Sequence, residues 1–252
     1  NLHDALVQSC DVYFYTLGQR LGIDNLAKYA KKIGLGELTG VELKGEKPGL
    51  VPSTQWKKKI KNKPWYPGET ISASIGQGYN LVTPLQGVSM ISAIANGGIL
   101  TRPYLVKKIE DSDGKLIQEF FPEVRRNIEI DPKVLKLLKE GLRGVVYDVR
   151  GTGRRARLKN IIVSGKTGTA QVVGMKPSDE IDPEEEIPYL FRDHAWFVAF
   201  APYDKPEVAV SVIIEHGGHG GETAAPIAKK ILEAYFSYYP PPKNTRFGID
   251  LN

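Results

Sequence analysis

The order of sequence signals predicts an α+β domain, with helices first and a strand-rich half, closed by a helix, last. Three observations carry this. Apolar residues recur at helical spacing near the N-terminus, through Leu6, Val12, Tyr15, Leu17 and Leu21. Strand-like runs cluster late, at Ile161–Val173, His194–Ala201 and Val208–Glu215. The last two are joined by APYDKP, too short for a crossover helix, so they should pair antiparallel.

In chain order, the first helix is predicted over Leu2–Leu21, with Gly22 as its stop. A second is predicted over Asp24–Ile33, where Asp24 can cap and Gly34 can terminate. Between Gly40 and Thr70 the abundance of Gly, Pro and Lys reads as loop. Thr83-Pro84 opens a further helix, with a capping threonine, proline at the first helical position and Gly97-Gly98 at the end. Tyr104–Glu110 and Lys115–Phe121 alternate around Asp113-Gly114, a hairpin signal. Asp131-Pro132 starts a helix that runs through Leu135, Leu138 and Leu142 to about Tyr147. After the three strands, a final helix spans Thr223–Tyr238 and ends at Pro240-Pro241-Pro242.

The 252 residues are 41% hydrophobic and 25% charged, which fits a globular rather than a disordered chain. A net charge of +5 could attract nucleic acid, anionic lipid or an acidic polymer, but by itself it fits solvated lysines. The single cysteine, Cys10, excludes an intrachain disulfide and any CxxC metal pattern. No run approaches the roughly 20 apolar residues that span a bilayer, and no signal-peptide pattern opens the chain. The opening NLHDALVQSCDVYFY reads as the middle of a longer protein.

Two places carry candidate chemistry. In SGKTGTAQ (Ser164–Gln171), an ammonium, a hydroxyl and a bare backbone stand in a row on a strand. The lysine and hydroxyls can bind a carboxylate through charge-assisted hydrogen bonds, and glycine admits a ligand close to the chain. Backbone N–H groups beyond Gly168 can stabilise an oxyanion. In Ser9-Cys10-Asp11, the serine could relay a proton while the aspartate holds a lysine ammonium. The same pair also suits a plain helix start, since both residue types are favoured caps.

These motifs, with SCDVYFY, KPWYPGETISASIGQGYNLVTPLQ, SGKTGTAQV and RDHAWFVAFAPYDKPEVAVSVIIEHGG, resemble the class B penicillin-binding proteins, in particular the elongation-type branch, penicillin-binding protein 2. The likeness covers nearly the whole chain. It implies the penicillin-binding, β-lactamase-like transpeptidase fold, an antiparallel sheet flanked by helices with an adjoining helical part, truncated at the N-terminus. Residues 1–240 would be a partial transpeptidase domain and 241–252 a C-terminal tail. Ser9 looks like the serine of the family's second motif and Asp11 like its third position, where aspartate replaces the commoner asparagine, so an amide-specific role is not carried over. Lys166, Thr167 and Gly168 match the third motif, and the N–H of Thr169 is similar in position to half of the oxyanion hole.

The family's nucleophile is the serine of Ser-x-x-Lys, upstream of the second motif, yet only eight residues precede Ser9. The literal match Ser112–Lys115 falls after that motif, on the expected hairpin tip. The nucleophile is therefore expected before residue 1, and the chain alone should be inactive. The implied activity is serine-type D,D-transpeptidation of peptidoglycan stem peptides during cell-wall elongation, with β-lactams acylating the same serine. No cofactor or metal is implied. The implied partners are D-Ala-D-Ala stem peptides, β-lactam antibiotics and a membrane glycan polymerase, not nucleic acid. The implied setting is the periplasmic face of a bacterial inner membrane, with the anchor outside this chain.

Other features read as bystanders. His216-Gly-Gly-His219 lacks the carboxylate partner of a metal site and reads as a glycine-rich turn, with His194 a structural strand start. Lys57–Lys63, between Trp56 and Trp65, reads as a solvated loop, although tryptophans among lysines also suit single-stranded nucleic acid. Gly151–Lys159 reads as a flexible basic turn, and Asp179–Pro188 as an acidic loop that could gate access. An alternative within the same fold is a non-catalytic β-lactam sensor or scaffold.

Overall fold

The computed structural model describes residues 1–172 and 188–240. Its elements are, in order, helices α1 (Leu2–Gln8), α2 (Asp11–Leu21), α3 (Ile23–Lys32), α4 (Thr54–Lys61), α5 (Pro67–Ser74) and α6 (Pro84–Ala95). Strands β1 (Ile99–Arg102), β2 (Lys108–Glu110), β3 (Leu116–Glu119) and β4 (Glu123–Asn127) follow. Helix α7 (Pro132–Tyr147), strands β5 (Ser164–Ala170), β6 (His194–Ala201) and β7 (Val208–Ile214), and helix α8 (Ala224–Tyr238) complete the chain. It divides into two compact units, one made of Asn1–Asp11 with Lys136–Asn252, the other of Val12–Leu135.

The first unit is built on the antiparallel sheet β5-β6-β7, in that order. The antiparallel pairing expected for the last two strands is present, with Phe197 opposite Val212. Alternation puts Ala195, Phe197, Ala199 and Ala201 into a core shared with Val210, Val212 and the α8 residues Ala228, Leu232 and Phe236. Small residues on the facing surfaces let helix and sheet approach closely. Helix α7 delivers the fully buried Val145 and Val146. Its Gly144 also leaves room for α1, since a Cβ there would lie 2.6 Å from Cγ2 of Val7.

In the second unit, α6 starts at the predicted capping threonine and proline, and it adds a capping box that the sequence reading did not include. Thr83 caps Gln86 N–H, and Gln86 Oε1 accepts from Thr83 N–H in return. The Gln86 amide, almost fully buried, donates to the carbonyls of Glu37 (2.8 Å) and Pro48 (2.7 Å), so one side chain pins two loop segments. The hairpin β2–β3 turns at the predicted tip, where Asp111 Oδ1 accepts the N–H groups of Asp113 and Lys115 and Gly114 adopts φ 79°. Strands β1 and β4, not foreseen from the sequence, form a second ribbon.

Several expectations are corrected. The single helix Leu2–Leu21 is two helices, broken at Ser9-Cys10. Asp24 does not cap its own helix, whose first residue is Ile23. Its carboxylate instead accepts from Thr54 N (2.9 Å) and Oγ1 (2.8 Å) at the start of α4. The stretch Gly40–Thr70 holds α4 and the first turn of α5. Lys57 is no solvated loop residue: it is 2% exposed, paired with Glu69, and its ammonium lies 4.3 Å from the centre of the Tyr66 ring. Gly151–Lys159 is tied down rather than flexible. It contains a short 3-10 turn at Arg154–Ala156, and Arg157 stacks on Tyr147 while donating to its carbonyl at 2.8 Å. The acidic segment, apart from Pro188, and the tail 241–252 lie outside the described residues.

Candidate functional site

The site lies within the first unit and begins with the break between α1 and α2. Ser9 closes α1 in the left-handed region (φ 53°, ψ 52°), a conformation that costs a non-glycine residue about 1–2 kcal/mol. The turn is held by Cys10 N–H donating to Ala5 O at 2.9 Å. It exposes Cys10 and starts α2 at Asp11. Ser9 Oγ accepts a hydrogen bond from Lys166 Nζ at 2.8 Å, across 157 positions of sequence.

Lys166 stands on β5, one of the two edge strands of its sheet among the described residues. Strand alternation points Lys166 and Gly168 to one face and Thr167 and Thr169 to the other. Because the strand is at an edge, both sets border its outer rim. Lys166 Nζ also donates to the carbonyl of Thr167 at 2.9 Å. Burial pulls the Lys166 ammonium down to a pKa of about 8, while the carboxylate charge of Asp11 acts in the opposite direction. The residue keeps some exposure, so its ammonium is desolvated without being sealed off. Ser9, Asp11 and Lys166 are thus brought together as an acceptor, a counter-charge and a donor.

Thr167 is engaged separately, its Oγ1 lying 2.8 Å from Thr152 Oγ1. Thr169 pairs in register with Ala195, and Gly168 with Trp196. Against Gly168 lies Gly220, where a Cβ would sit 2.1 Å from Trp196 O and 2.5 Å from Gly168 O. No side chain fits there, and that is the physical use of the glycine-rich turn 217–221. The turn is anchored by His216 N–H donating to His194 Nδ1 at 2.9 Å and by Thr223 Oγ1 donating to Gly217 O at 3.0 Å. His194 and His216 therefore shape the end of the sheet, and the described residues contain no cluster able to hold a metal ion.

Sequence reasoning missed Thr152, Gly220 and Gly221 as parts of this site. The available signal was the hydroxyl between two glycines in Gly151-Thr152-Gly153, hidden in a stretch dominated by arginines.

Comparison with known proteins sets this geometry in context. Residues 1–233 match the transpeptidase family described as the penicillin binding protein transpeptidase domain. The peptidoglycan D,D-transpeptidase MrdA of Haemophilus influenzae is 37% identical over 245 residues, covering 94% of this chain and 36% of that protein. The crystal structure of Pseudomonas aeruginosa PBP2 in complex with WCK 5153 superposes with a TM-score of 0.80 at 36% identity, over 96% of this chain and 52% of that one. PBP2 of Helicobacter pylori, in its complex with MreC, gives 0.76 at 33% identity, over 95% and 41%. The chain thus spans about a third of the length of the curated relatives it matches.

Proposed function

The chain belongs to the penicillin-binding protein transpeptidase family, and from that membership we propose that it forms the second- and third-motif wall of a serine D,D-transpeptidase that cross-links peptidoglycan during cell elongation. The observation that carries this reading is the Lys166–Ser9 hydrogen bond, which joins the two motifs into one polar wall. In the first step, a nucleophilic serine attacks the penultimate D-Ala carbonyl of a stem peptide. A C–O bond forms, the peptide C–N bond breaks, and the terminal D-Ala leaves as the amine. An amine of a neighbouring stem then attacks the ester, a new C–N bond forms, the ester C–O bond breaks, and the proton lost by the amine returns to the serine oxygen. Dividing the reaction in two replaces one high barrier with two lower ones.

Each wall residue has a role in this scheme. Ser9 accepts from Lys166, which leaves its own proton free to move towards the leaving amine. Asp11 keeps the lysine charged and oriented. Lys166 provides positive potential where negative charge develops, worth most in a partly desolvated site. Thr167 and Thr169 hydroxyls hold the substrate carboxylate. The bare Gly168 lets the acyl donor lie along β5, with the Thr169 N–H facing its oxyanion. An edge strand suits an extended peptide laid alongside it.

The nucleophile itself we assign to a Ser-x-x-Lys segment outside these 252 residues, because the literal match, Ser112–Lys115, forms a hairpin turn. Residues 1–240 then form part of the transpeptidase domain, followed by a tail. We place the domain in the periplasm of a membrane-anchored protein, working with a glycan polymerase and the elongation machinery. The relative solved in complex with MreC supports a protein partner for the domain. Among the described residues, no helix is long and apolar enough to cross a membrane. The test is Lys166→Ala in the full-length protein. Labelling by a fluorescent penicillin should fall at least about 100-fold, the scale of losing an oxyanion-stabilising group. Unchanged labelling would remove Lys166 from the mechanism.

A further inference from the structure

We propose that Thr152 is a positioning residue for Thr167, holding the Thr167 hydroxyl so that its proton faces the carboxylate of the incoming acyl donor. The inference rests on the reading of Thr167 given above and adds a residue that neither motif contains.

Thr152 contacts both chain segments that carry the motifs. Its Oγ1 lies 2.8 Å from that of Thr167, next to Lys166 in sequence. Its N–H donates to the carbonyl of Val7 at 3.3 Å, two residues before Ser9. The surrounding backbone leaves it little freedom. A Cβ on Gly151 would lie 2.3 Å from Val145 O, and one on Gly221 would lie 2.3 Å from Thr152 O. Gly153 N–H donates to Val145 O at 2.9 Å. Three glycines thus press the loop into place, while the Thr152 side chain stays on the exposed side.

A hydroxyl carries one proton, so only one threonine of the pair can donate to the other. If Thr167 donated to Thr152, it would have no proton left for a ligand. An anion beside Thr167 selects the opposite order: Thr152 donates to Thr167, and Thr167 donates onward to the carboxylate. That order places a charge-assisted bond at the end of a polarised chain. Without Thr152 the Thr167 hydroxyl is a free rotor and must be ordered on binding.

The readout is the ratio of acylation rates for benzylpenicillin and its methyl ester, measured on the full-length protein by competition with a fluorescent penicillin. The ratio isolates recognition of the carboxylate from overall damage. Thr152→Val should lower the acid-over-ester preference by about tenfold, the size of one hydrogen bond, and Thr152→Ser should retain it. Should the valine variant not fold, Thr152→Ala is read in its place. A preserved ratio in the valine or alanine variant, even with a slower overall rate, overturns the proposal, as does a serine variant that behaves like valine. Thr167→Val separates the two levels. If it loses the preference while Thr152→Val keeps it, the Thr152 inference alone fails. If Thr167→Val keeps the preference, the reading of Thr167 fails and the inference fails with it.

Discussion

Lys166 holds its charge where burial opposes it, and that makes the site sensitive to pH. Its folded pKa of about 8 lies below the ordinary 10.5, with desolvation the main cause and Asp11 working against it. At pH 7 the ammonium form still dominates, so acylation that depends on positive potential should decline as pH rises through about 8. Replacing Asp11 with asparagine removes the influence that raises the pKa, so the same decline should begin at lower pH. A pH profile of penicillin acylation for the parent and Asp11→Asn checks both. An unshifted basic limb would show that Asp11 does not act on Lys166. Stability follows the same group with a defined sign. Between about 8 and 10.5 the unfolded chain binds more protons at this position than the folded one, so stability rises with pH across that window. Below it both forms are protonated, and the cost of burying the charge is fully present. Lys166→Met should flatten that slope in urea titrations performed on either side of pH 8.

At the scale of elements, the clearest local dependence is between α4 and α5. Lys57 leaves α4 almost fully buried and meets Glu69 of α5, which is 23% exposed, and the Tyr66 and Trp65 rings receive its ammonium. Lys57→Ala should cost about 3 kcal/mol, because it takes the ion partner from Glu69 and opens a cavity beneath the rings. Lys57→Met should cost less, since an apolar chain of similar length still fills the space against the rings. Urea unfolding compares the two, and equal losses would show that the charge, not the packing, is what matters. The same pair explains why this region was not legible as helix. Nothing in WKKKIKNKPW signals that one lysine of the run turns inward, because its partner comes 12 positions later. Helix α6 was legible because its signals are local: Thr83 and Pro84 open it and Gly97-Gly98 follow its end. Strand β6 was likewise readable as a strand-like run over His194–Ala201. The break at Ser9 was not, since a left-handed serine held by backbone bonds to Ala5 and Leu6 carries no residue type that marks a helix end.

For the whole molecule, the first unit is discontinuous, assembled from the first 11 residues and the stretch from Lys136 onward. This arrangement makes the motif residues legible one by one while leaving their meeting hidden. Ser9, Asp11, Lys166 and Gly168 could each be named from the sequence, but their spacing of over 150 positions carries no geometry. Thr152 lay in a stretch without a motif and appeared only with the fold. The same unit brings the Ser9 hydroxyl to the Lys166 ammonium yet contains no Ser-x-x-Lys serine of its own. The remaining match, Ser112–Lys115, belongs to the other unit, where Asp111 ties the turn through backbone N–H groups at 3.0 and 2.8 Å. The N–H of Lys115 is thus committed to holding the turn, and the hairpin strands on either side are exposed. On the proposal that the nucleophile lies outside these residues, the 252-residue chain alone should take up no fluorescent penicillin, whereas the full-length protein should be labelled in a band that unlabelled penicillin suppresses. Ser112→Ala in the full-length protein should leave that band unchanged. Loss of the band in this variant, with folding retained, would make the hairpin serine the nucleophile and end the case for an external one.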